Sequence, residues 1–217
     1  MIEQLKQLLF ARGYRLFTRP FELNIIGVRS ANHVPNAFSD HIYVVYMDAN
    51  GSWQLRSYEA TTDPGTPFLL SPINSAGAAI LKPGQYKDCY AIGMHRGQYL
   101  ALVQRRPVTV IRDYNRNNVP DYTTGKEQTG MFGINIHRAA AYGKTKLVDS
   151  FSAGCQVFAD ADNFQEFMQL AERHKQQYGN IFTYTLIQQP PSSASAAAIR
   201  PVAAALDKQA VPLSDGQ

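Results

Sequence analysis

The pattern of hydrophobic and polar positions predicts a helix at the start of the chain and short strands through its middle. Leu5, Leu8 and Leu9 share one face of a helix over residues 2–12, which Gly13 is well placed to end. An Asn-Gly pair at residues 50–51, between two alternating runs, predicts a β-hairpin. Strands are predicted at residues 22–28, 41–48, 53–58, 90–94, 99–104, 107–112, 133–137 and 181–187.

A helical pattern returns after residue 155. Asp162 and Gln165 have the spacing of a capping box, which predicts the start of this helix. Residues 61–86 are rich in Pro and Gly, so loops and short strands are predicted there. The apolar residues at helical spacing are Phe164, Phe167, Met168 and Ala171.

These elements predict one mostly β domain of the α+β class over residues 1–188. Residues 1–57 supply the N-terminal helix and the first strands, and residues 58–188 form a core that includes the later helix. Residues 189–217 have no aromatic side chain and no periodicity. We expect them to be a flexible tail with a weak helix at 203–208.

Charge and composition restrict the kind of partner. The 217 residues carry a formal net charge of +4, and the basic residues are scattered. No run of them resembles a nucleic-acid arm, so no nucleic-acid partner is expected, and the mild basicity fits the surface of another anionic polymer at least as well. The first residues have no apolar signal-peptide core, and no later apolar run could span a membrane. The chain is therefore expected to be made in the cytoplasm without a signal peptide.

The strongest chemical signal is a histidine and a cysteine eighteen positions apart. His137 ends a predicted strand, and Cys155 ends the turn Ser152-Ala153-Gly154-Cys155. An imidazolium or a helix N-terminus can stabilise the thiolate that acts as a nucleophile. Gly154 permits a strained turn with two consecutive N–H groups, an expected oxyanion hole, and Ser152 can bond within the turn or to the imidazole.

Other interpretations of these residues remain. Either residue alone would more often be structural: a buried cysteine, or a strand histidine with its hydrogen bonds made. The second cysteine, Cys89, is expected to be an incidental thiol, and sequence leaves open whether it pairs with Cys155. No metal or cofactor is expected, since the histidines lack metal-ligand spacing. Residues 113–121 alternate oxygen side chains as a calcium loop does, but Thr124 stands at the twelfth position, which favours a polar turn.

The histidine and the turn at 152–155 resemble the His…Ser-x-Gly-Cys signature of the L,D-transpeptidase catalytic domain. Residues 61–65 are similar to the Thr-Pro-x-Gly segment upstream of it in that family, and the likeness covers roughly residues 58–168. It implies a β-sandwich or barrel that acts on peptidoglycan stem peptides. By this resemblance Cys155 is the nucleophile, His137 the base, Gly154 and Cys155 the oxyanion donors, and Ser152 a supporting hydroxyl.

The chain departs from the family pattern at three positions. Arg138 stands where the family usually has Gly, Ala153 where it has His, and Val157 where it has an Arg associated with the site. Arg138 is predicted either to bind a substrate carboxylate or to be a surface arginine. His95 and Gln156 are the other candidate substrate-binding residues, although a lone histidine is more often structural.

The expected function is acyl transfer on tetrapeptide stems, as an L,D-transpeptidase or an L,D-carboxypeptidase. One alternative is a phage-type cysteine peptidase or amidase that cleaves peptidoglycan, and another is a non-catalytic cell-wall-binding module. The missing signal peptide favours a phage lytic protein or an injected antibacterial effector, acting in the periplasm or cell wall of a target cell. Secretion machinery and an immunity protein would then be partners.

Overall fold

The computed structural model describes residues 1–190, which form three α-helices, a 3₁₀ turn and eleven strands. The helices are α1 (Ile2–Ala11), α2 (Thr66–Leu70) and α3 (Ala161–Tyr178), and the 3₁₀ turn is at Asp149–Phe151. The strands are β1 (Asn24–Arg29), β2 (Asp40–Met47), β3 (Trp53–Thr61), β4 (Ala78–Leu81), β5 (Gly84–His95), β6 (Tyr99–Gln104), β7 (Val108–Asp113), β8 (Lys126–Gly130), β9 (Ile136–Arg138), β10 (Gln156–Phe158) and β11 (Phe182–Gln188).

Eight of the strands close into a barrel in the order β1-β11-β5-β6-β9-β10-β3-β2. Neighbouring strands are antiparallel except for two parallel pairs, β1 with β11 and β9 with β10. Closure leaves this sheet without an unpaired edge. The predicted mostly β fold is confirmed at this level, as are the N-terminal helix and the helix after Cys155.

The barrel interior is filled by apolar and aromatic side chains, and α3 contributes to it. Phe158 of β10 packs on Phe167 with ring centroids 4.9 Å apart and on Phe164 at 5.4 Å. All three rings are buried, each removing a large apolar surface from water. This packing fixes the strand that directly follows Cys155.

Strand β1 is covered on both faces, which explains its continuous apolar sequence. Ile25 belongs to the barrel core, whereas Ile26 belongs to a second cluster outside the barrel. In that cluster α1 buries Leu5 and Leu9 against β1 and β2, as the leucine spacing predicted. The helix is therefore held by tertiary packing, which a helix of this length requires.

The predicted hairpin is confirmed between β2 and β3, with pairing that runs from Asp40 opposite Ala60 to Met47 opposite Trp53. The side chain of Asp48 closes the turn by accepting hydrogen bonds from the N–H groups of Asn50 and Ser52. An aspartate that bonds backbone groups two residues on is a common turn device.

The segment predicted as loops and short strands over residues 61–86 also contains the short helix α2. Strand β4 then joins β7 and β8 in a separate three-stranded sheet. Strands β8 and β10 had no prediction, because β8 is polar and exposed and β10 has only three residues. Neither offers the alternation that identifies a half-buried strand.

The residue predicted to cap the N-terminus of α3 is wrong. Asp160, not Asp162, is the N-cap, and its carboxylate accepts from the N–H groups of Asp162 and Asn163.

Within residues 1–190 no helix is both long and apolar enough to cross a membrane. Most of the predicted tail, from residue 191 on, and its predicted helix at 203–208 lie outside the described residues.

Candidate active site

The parallel pairing of β9 and β10 brings the predicted histidine and cysteine together. Gln156 lies opposite Ile136, and Val157 lies opposite His137. Ile136 and Gln156 are completely buried on the barrel side. Since successive side chains alternate between faces, His137 and Cys155 both project from the other face.

Cys155 is partly buried and both of its sulfur contacts come from the segment before β9. The backbone N–H of Asn135 donates to Cys155 Sγ at 3.4 Å, and the thiol donates to the carbonyl of Gly133 at 3.4 Å. Both cysteines are free thiols, so the pairing with Cys89 that sequence left open does not occur. Cys89 lies on β5 and is buried.

The turn before Cys155 is held by its own serine. Ser152 is completely buried, its Oγ donates to the carbonyl of Cys155 at 2.9 Å, and it accepts from the N–H of Gly154 at 3.1 Å. Of the two bonding modes predicted for Ser152, the structure has the one within the turn. The Gly154 N–H is thereby occupied, and no acceptor for the Cys155 N–H is found among residues 1–190.

A larger residue in place of Gly154 would strain the chain at this point. Its φ of 128° is in the region that L-residues with side chains rarely adopt. A Cβ built on it would lie 2.1 Å from the carbonyl oxygen of Ala79 on β4. The turn is therefore pressed against the small sheet, as well as hydrogen-bonded within itself.

The tautomer of His137 follows from its hydrogen bonds. Its Nδ1 lies 2.8 Å from the carbonyl oxygen of Arg138, which can only accept, so Nδ1 carries the proton. The hydroxyl of Tyr99 donates to the same carbonyl at 3.1 Å and lies 3.2 Å from Nδ1. In the neutral imidazole the lone pair is therefore on Nε2, the nitrogen available to act as a base.

His95 stacks directly on His137, with ring centroids 4.0 Å apart. Its Nδ1 lies 3.0 Å from the side-chain nitrogen of Asn135, whose oxygen accepts from the backbone N–H of Gln104. The Asn135 amide therefore donates to His95. His95 was predicted as a substrate contact, and the structure shows it buried and stacked on His137.

The electrostatics favour a neutral pair at rest. Burial raises the pKa of the Cys155 thiol, while the Asn135 N–H and the charge of Arg96 oppose the rise. Burial and the neighbouring His95 lower the pKa of His137 to about 3. The expected thiolate–imidazolium pair is thus not favoured, and the N–H groups at the start of α3 bond the Asp160 carboxylate instead of Cys155.

Arg138 and Gln156, two of the predicted substrate contacts, both make contacts within the protein. The guanidinium of Arg138 lies 4.2 Å from the ring centroid of Tyr99 and donates to the carbonyl of Ala140 at 2.7 Å. The prediction for Gln156 is wrong: its side chain is fully buried, and its Oε1 accepts from the hydroxyl of Tyr184 at 2.8 Å inside the barrel. A side chain in this position is out of reach of substrate.

The upstream segment identified by resemblance also contacts the site. The N–H of Gly65 donates to the carbonyl of Ser152 at 2.9 Å, which ties residues 61–65 to the start of the turn.

No group of three or more acidic, histidine or cysteine side chains in the described part of the chain could hold a metal ion. In the polar loop at 113–121, the oxygens of Asp113, Asn115 and Asn117 accept backbone N–H groups.

Asn135 was not among the predicted site residues, and the sequence pattern assigned Tyr99 no specific role. Asn135 bonds both Cys155 and His95, and Tyr99 fixes the carbonyl that orients His137. Polar residues at alternate positions of a strand that otherwise holds isoleucine were the available signal for Asn135. No comparable signal distinguished Tyr99 from the other tyrosines.

Comparisons with known proteins add no relatives. No protein-family model matches the chain, and no curated protein or solved structure matches it. What can be said of function therefore comes from the residues of the site and from their resemblance to the motif described above.

Proposed function

We propose that this protein is a cysteine acyltransferase of the L,D-transpeptidase type, which acts on the tetrapeptide stems of peptidoglycan. The observation that carries the proposal is the orientation of His137. Its Nδ1–H is fixed on the Arg138 carbonyl, which leaves the lone pair of the neutral ring on Nε2, and β9 and β10 place His137 and Cys155 on the same face. The two side chains make no hydrogen bond with each other among the described residues, so the proton transfer needs them to approach when substrate binds. A base of fixed tautomer on the same face as a thiol is an arrangement that nucleophilic catalysis uses.

In the first half of the reaction Cys155 Sγ attacks the carbonyl between the third residue of the stem and the terminal D-alanine. A C–S bond forms as His137 Nε2 takes the thiol proton, and the carbonyl oxygen becomes an oxyanion near the N–H of Cys155. Collapse of this intermediate breaks the C–N bond. The imidazolium returns its proton to the leaving amine, which releases D-alanine and leaves a thioester.

In the second half an acceptor attacks the thioester. His137 takes a proton from the acceptor and returns it to the sulfur as the C–S bond breaks. An amine from a second stem gives a cross-link, and water gives a tripeptide, which is carboxypeptidase activity. Both outcomes use the same thiol and base. The acceptor that reaches the thioester decides between them.

The test is incubation with purified sacculi, followed by separation and mass measurement of the muropeptides. Wild-type protein is expected to release D-alanine or to form new cross-links, and Cys155→Ala and His137→Gln to lose this activity by about 100-fold or more. Cys89→Ala is the matched control, since it removes the other thiol and should keep full activity. If Cys155→Ala changes the products as much as the intact protein does, the proposal fails.

A phage-type cysteine peptidase or amidase is the second candidate, and Val157 is the observation that favours it. This residue is completely buried where the resembling family has a site arginine, so the substrate side of the pocket differs. Cleaved stems or cleaved cross-links, with D-alanine retained, would identify this activity in the same experiment. Binding to sacculi without any new product would instead indicate a cell-wall-binding module.

The proposal also includes a place of action. An enzyme of this kind would work in the periplasm or cell wall, as an antibacterial effector or a phage lytic protein. Directing the protein to the periplasm of a test bacterium should lyse or deform the cells, and the Cys155→Ala variant should not. Equal harm from both proteins would show that toxicity does not come from this chemistry.

A further inference from the structure

A cleft of about 300 Å³ lies beside the nucleophile turn, between the turn and the small sheet. Most of its wall is apolar, and one charged side chain, Arg112, lines it. Such a cleft, apolar with one placed charge, is typical of sites that bind a small polar group on an apolar stem. The lining residues that matter here are Phe68, Ile73, Ala79, Arg112, Phe132 and Ala153.

Two short structural connections join Arg112 to Cys155. Arg112 on β7 pairs with Ala79 on β4, and the Ala79 carbonyl is the group against which Gly154 packs. On the other side, the Arg112 guanidinium lies 4.9 Å from the ring centroid of Phe132. The next residue along the chain, Gly133, accepts the hydrogen bond of the Cys155 thiol. The residues that contact Arg112 are thus next to, or packed against, the residues that contact Cys155 and its turn.

The hydrogen bonds of Arg112 leave part of the guanidinium unused. Its Nε donates to the side chain of Gln128 at 2.8 Å, and its Nη1 donates to the carbonyl of Gly77 at 3.2 Å. Within residues 1–190 its Nη2 has no acceptor. Both partners are neutral, so they orient the guanidinium without balancing its charge.

Arg112 is 94 % buried, yet no carboxylate in the described residues lies within ion-pair distance of it. The other deeply buried arginine, Arg29, has such a partner in Asp63, with 3.0 Å between them. Removing a charge from water is costly unless an opposite charge compensates for it. Burial lowers the pKa of Arg112 accordingly. An anion in the cleft would supply the opposite charge that the described residues do not.

We propose that Arg112 binds a carboxylate of the substrate peptide, and that the cleft it lines is the subsite for that carboxylate beside the scissile bond. This inference rests on the proposed function for its choice of substrate. The unused Nη2 donor belongs to a guanidinium that lines the cleft. A guanidinium has the opposite charge to a carboxylate and can bond both of its oxygens at once. The apolar rim, with Ile73 and Phe132, is suited to the aliphatic stem of the residue that carries the carboxylate.

The direct test measures binding to the Cys155→Ala variant by calorimetry, so that no product forms. The probes are the stem tetrapeptide with all carboxylates free and a set in which one carboxylate at a time is amidated, at the glutamate, at the diamino acid or at the terminal D-alanine. One of these amidations is expected to weaken binding by about 10- to 100-fold, the range of a charge-assisted hydrogen bond. That peptide identifies the carboxylate concerned.

The arginine is then changed in the same background. With Arg112→Gln the preference for the free carboxylate should disappear, and with Arg112→Lys it should be partly kept. Arg56→Gln, which removes a surface arginine from its pair with Glu166, is the matched control and should leave the preference unchanged. Unfolding midpoints of the variants show whether each is folded.

Several results would overturn this subsite: equal affinity for all the peptides, no binding of any peptide, or an equal loss for free and amidated peptides in Arg112→Gln. None of these results bears on whether Cys155 catalyses a reaction on sacculi, because that is measured separately from the muropeptide products. Conversely, the wild-type protein could leave the muropeptides of sacculi unchanged while Arg112→Gln still loses the preference for the free carboxylate. That pair of results would refute the proposed reaction and support the subsite.

Discussion

The imidazole rings of His95 and His137 stack with their centroids 4.0 Å apart and their planes 24° apart. Two cations at this distance in a buried site repel strongly, so a proton on one ring disfavours a proton on the other. His95 therefore adds to burial in keeping the proposed base neutral. Burial and Arg96 lower the pKa of His95 as well, so the effect is mutual: a proton on either ring opposes a proton on the other.

Replacing His95 by glutamine is expected to raise the pKa of His137 from about 3 towards its ordinary value of 6.5. The rise is partial, because burial remains. Since the neutral imidazole is the base, the acid limb of the activity profile should move to higher pH in this variant. The measurement is an NMR titration of the His137 ring, with His41→Gln as the control. A wild-type His137 that titrates near 6.5 would contradict this expectation.

The thiol of Cys155 is expected to be the predominant form at neutral pH, because burial raises its pKa. Alkylation by iodoacetamide in a Cys89→Ala background should therefore be slow at pH 7 and still accelerate as the pH rises past 9. A rate that levels off near pH 7 would reveal a thiolate–imidazolium pair. That result would contradict the raised thiol pKa and the neutral pair.

Gly154→Ala should destabilise the protein by roughly 2 kcal/mol or more, because the new methyl group meets the Ala79 carbonyl as well as an unfavourable φ. Gly143 is a matched control, with φ of 65° and open space around its Cβ position. Its change to alanine should cost only about 1 kcal/mol. Urea unfolding of both variants makes the comparison, and equal losses would contradict the close contact.

Asp63→Asn should be the most damaging of these changes to stability, at about 3–5 kcal/mol near pH 7, since it leaves the Arg29 charge buried without a partner. Glu166→Gln breaks the exposed pair with Arg56 and should cost less than about 1 kcal/mol. Denaturant unfolding at several pH values tests both. A similar cost for the two variants would show that the buried pair contributes no more than the surface one.

The pH dependence of this effect has a definite sign. Burial by itself would raise the pKa of Asp63, but the Arg29 charge and hydrogen bonds from His33 and Tyr122 bring it below its ordinary value of 3.8. Its ionised form therefore stabilises the fold above about pH 4, and this stability is lost as the pH falls through the lowered pKa. The difference between wild type and Asp63→Asn should shrink over that range.

Prediction from sequence succeeded where local pattern and burial agree. The spacing of the leucines identified α1, and the spacing of the aromatic residues identified α3. The Asn-Gly pair between two alternating runs identified the hairpin. Prediction failed at β8, whose exposed residues carry no hydrophobic signal, and at the N-cap of α3, where Asp160 and Asp162 are both acceptable capping residues. In the site, the structure places Cys155 and His137 on one face of the sheet, and their roles stay a prediction. Gln156 was assigned to substrate because sequence does not show which face of β10 is enclosed.

The sequence by itself determined the types of group that the site holds: a thiol after a glycine turn, an imidazole at a strand end, and a serine able to close the turn. Only the tertiary structure decided how they are used. Pairing of β9 with β10 set Cys155 and His137 on one face, the Arg138 carbonyl chose the tautomer, and His95 and burial set the charge. Arg112 comes from a different sheet, and no spacing along the chain could bring it to the turn. These properties depend on distances between residues far apart in sequence, which packing alone fixes.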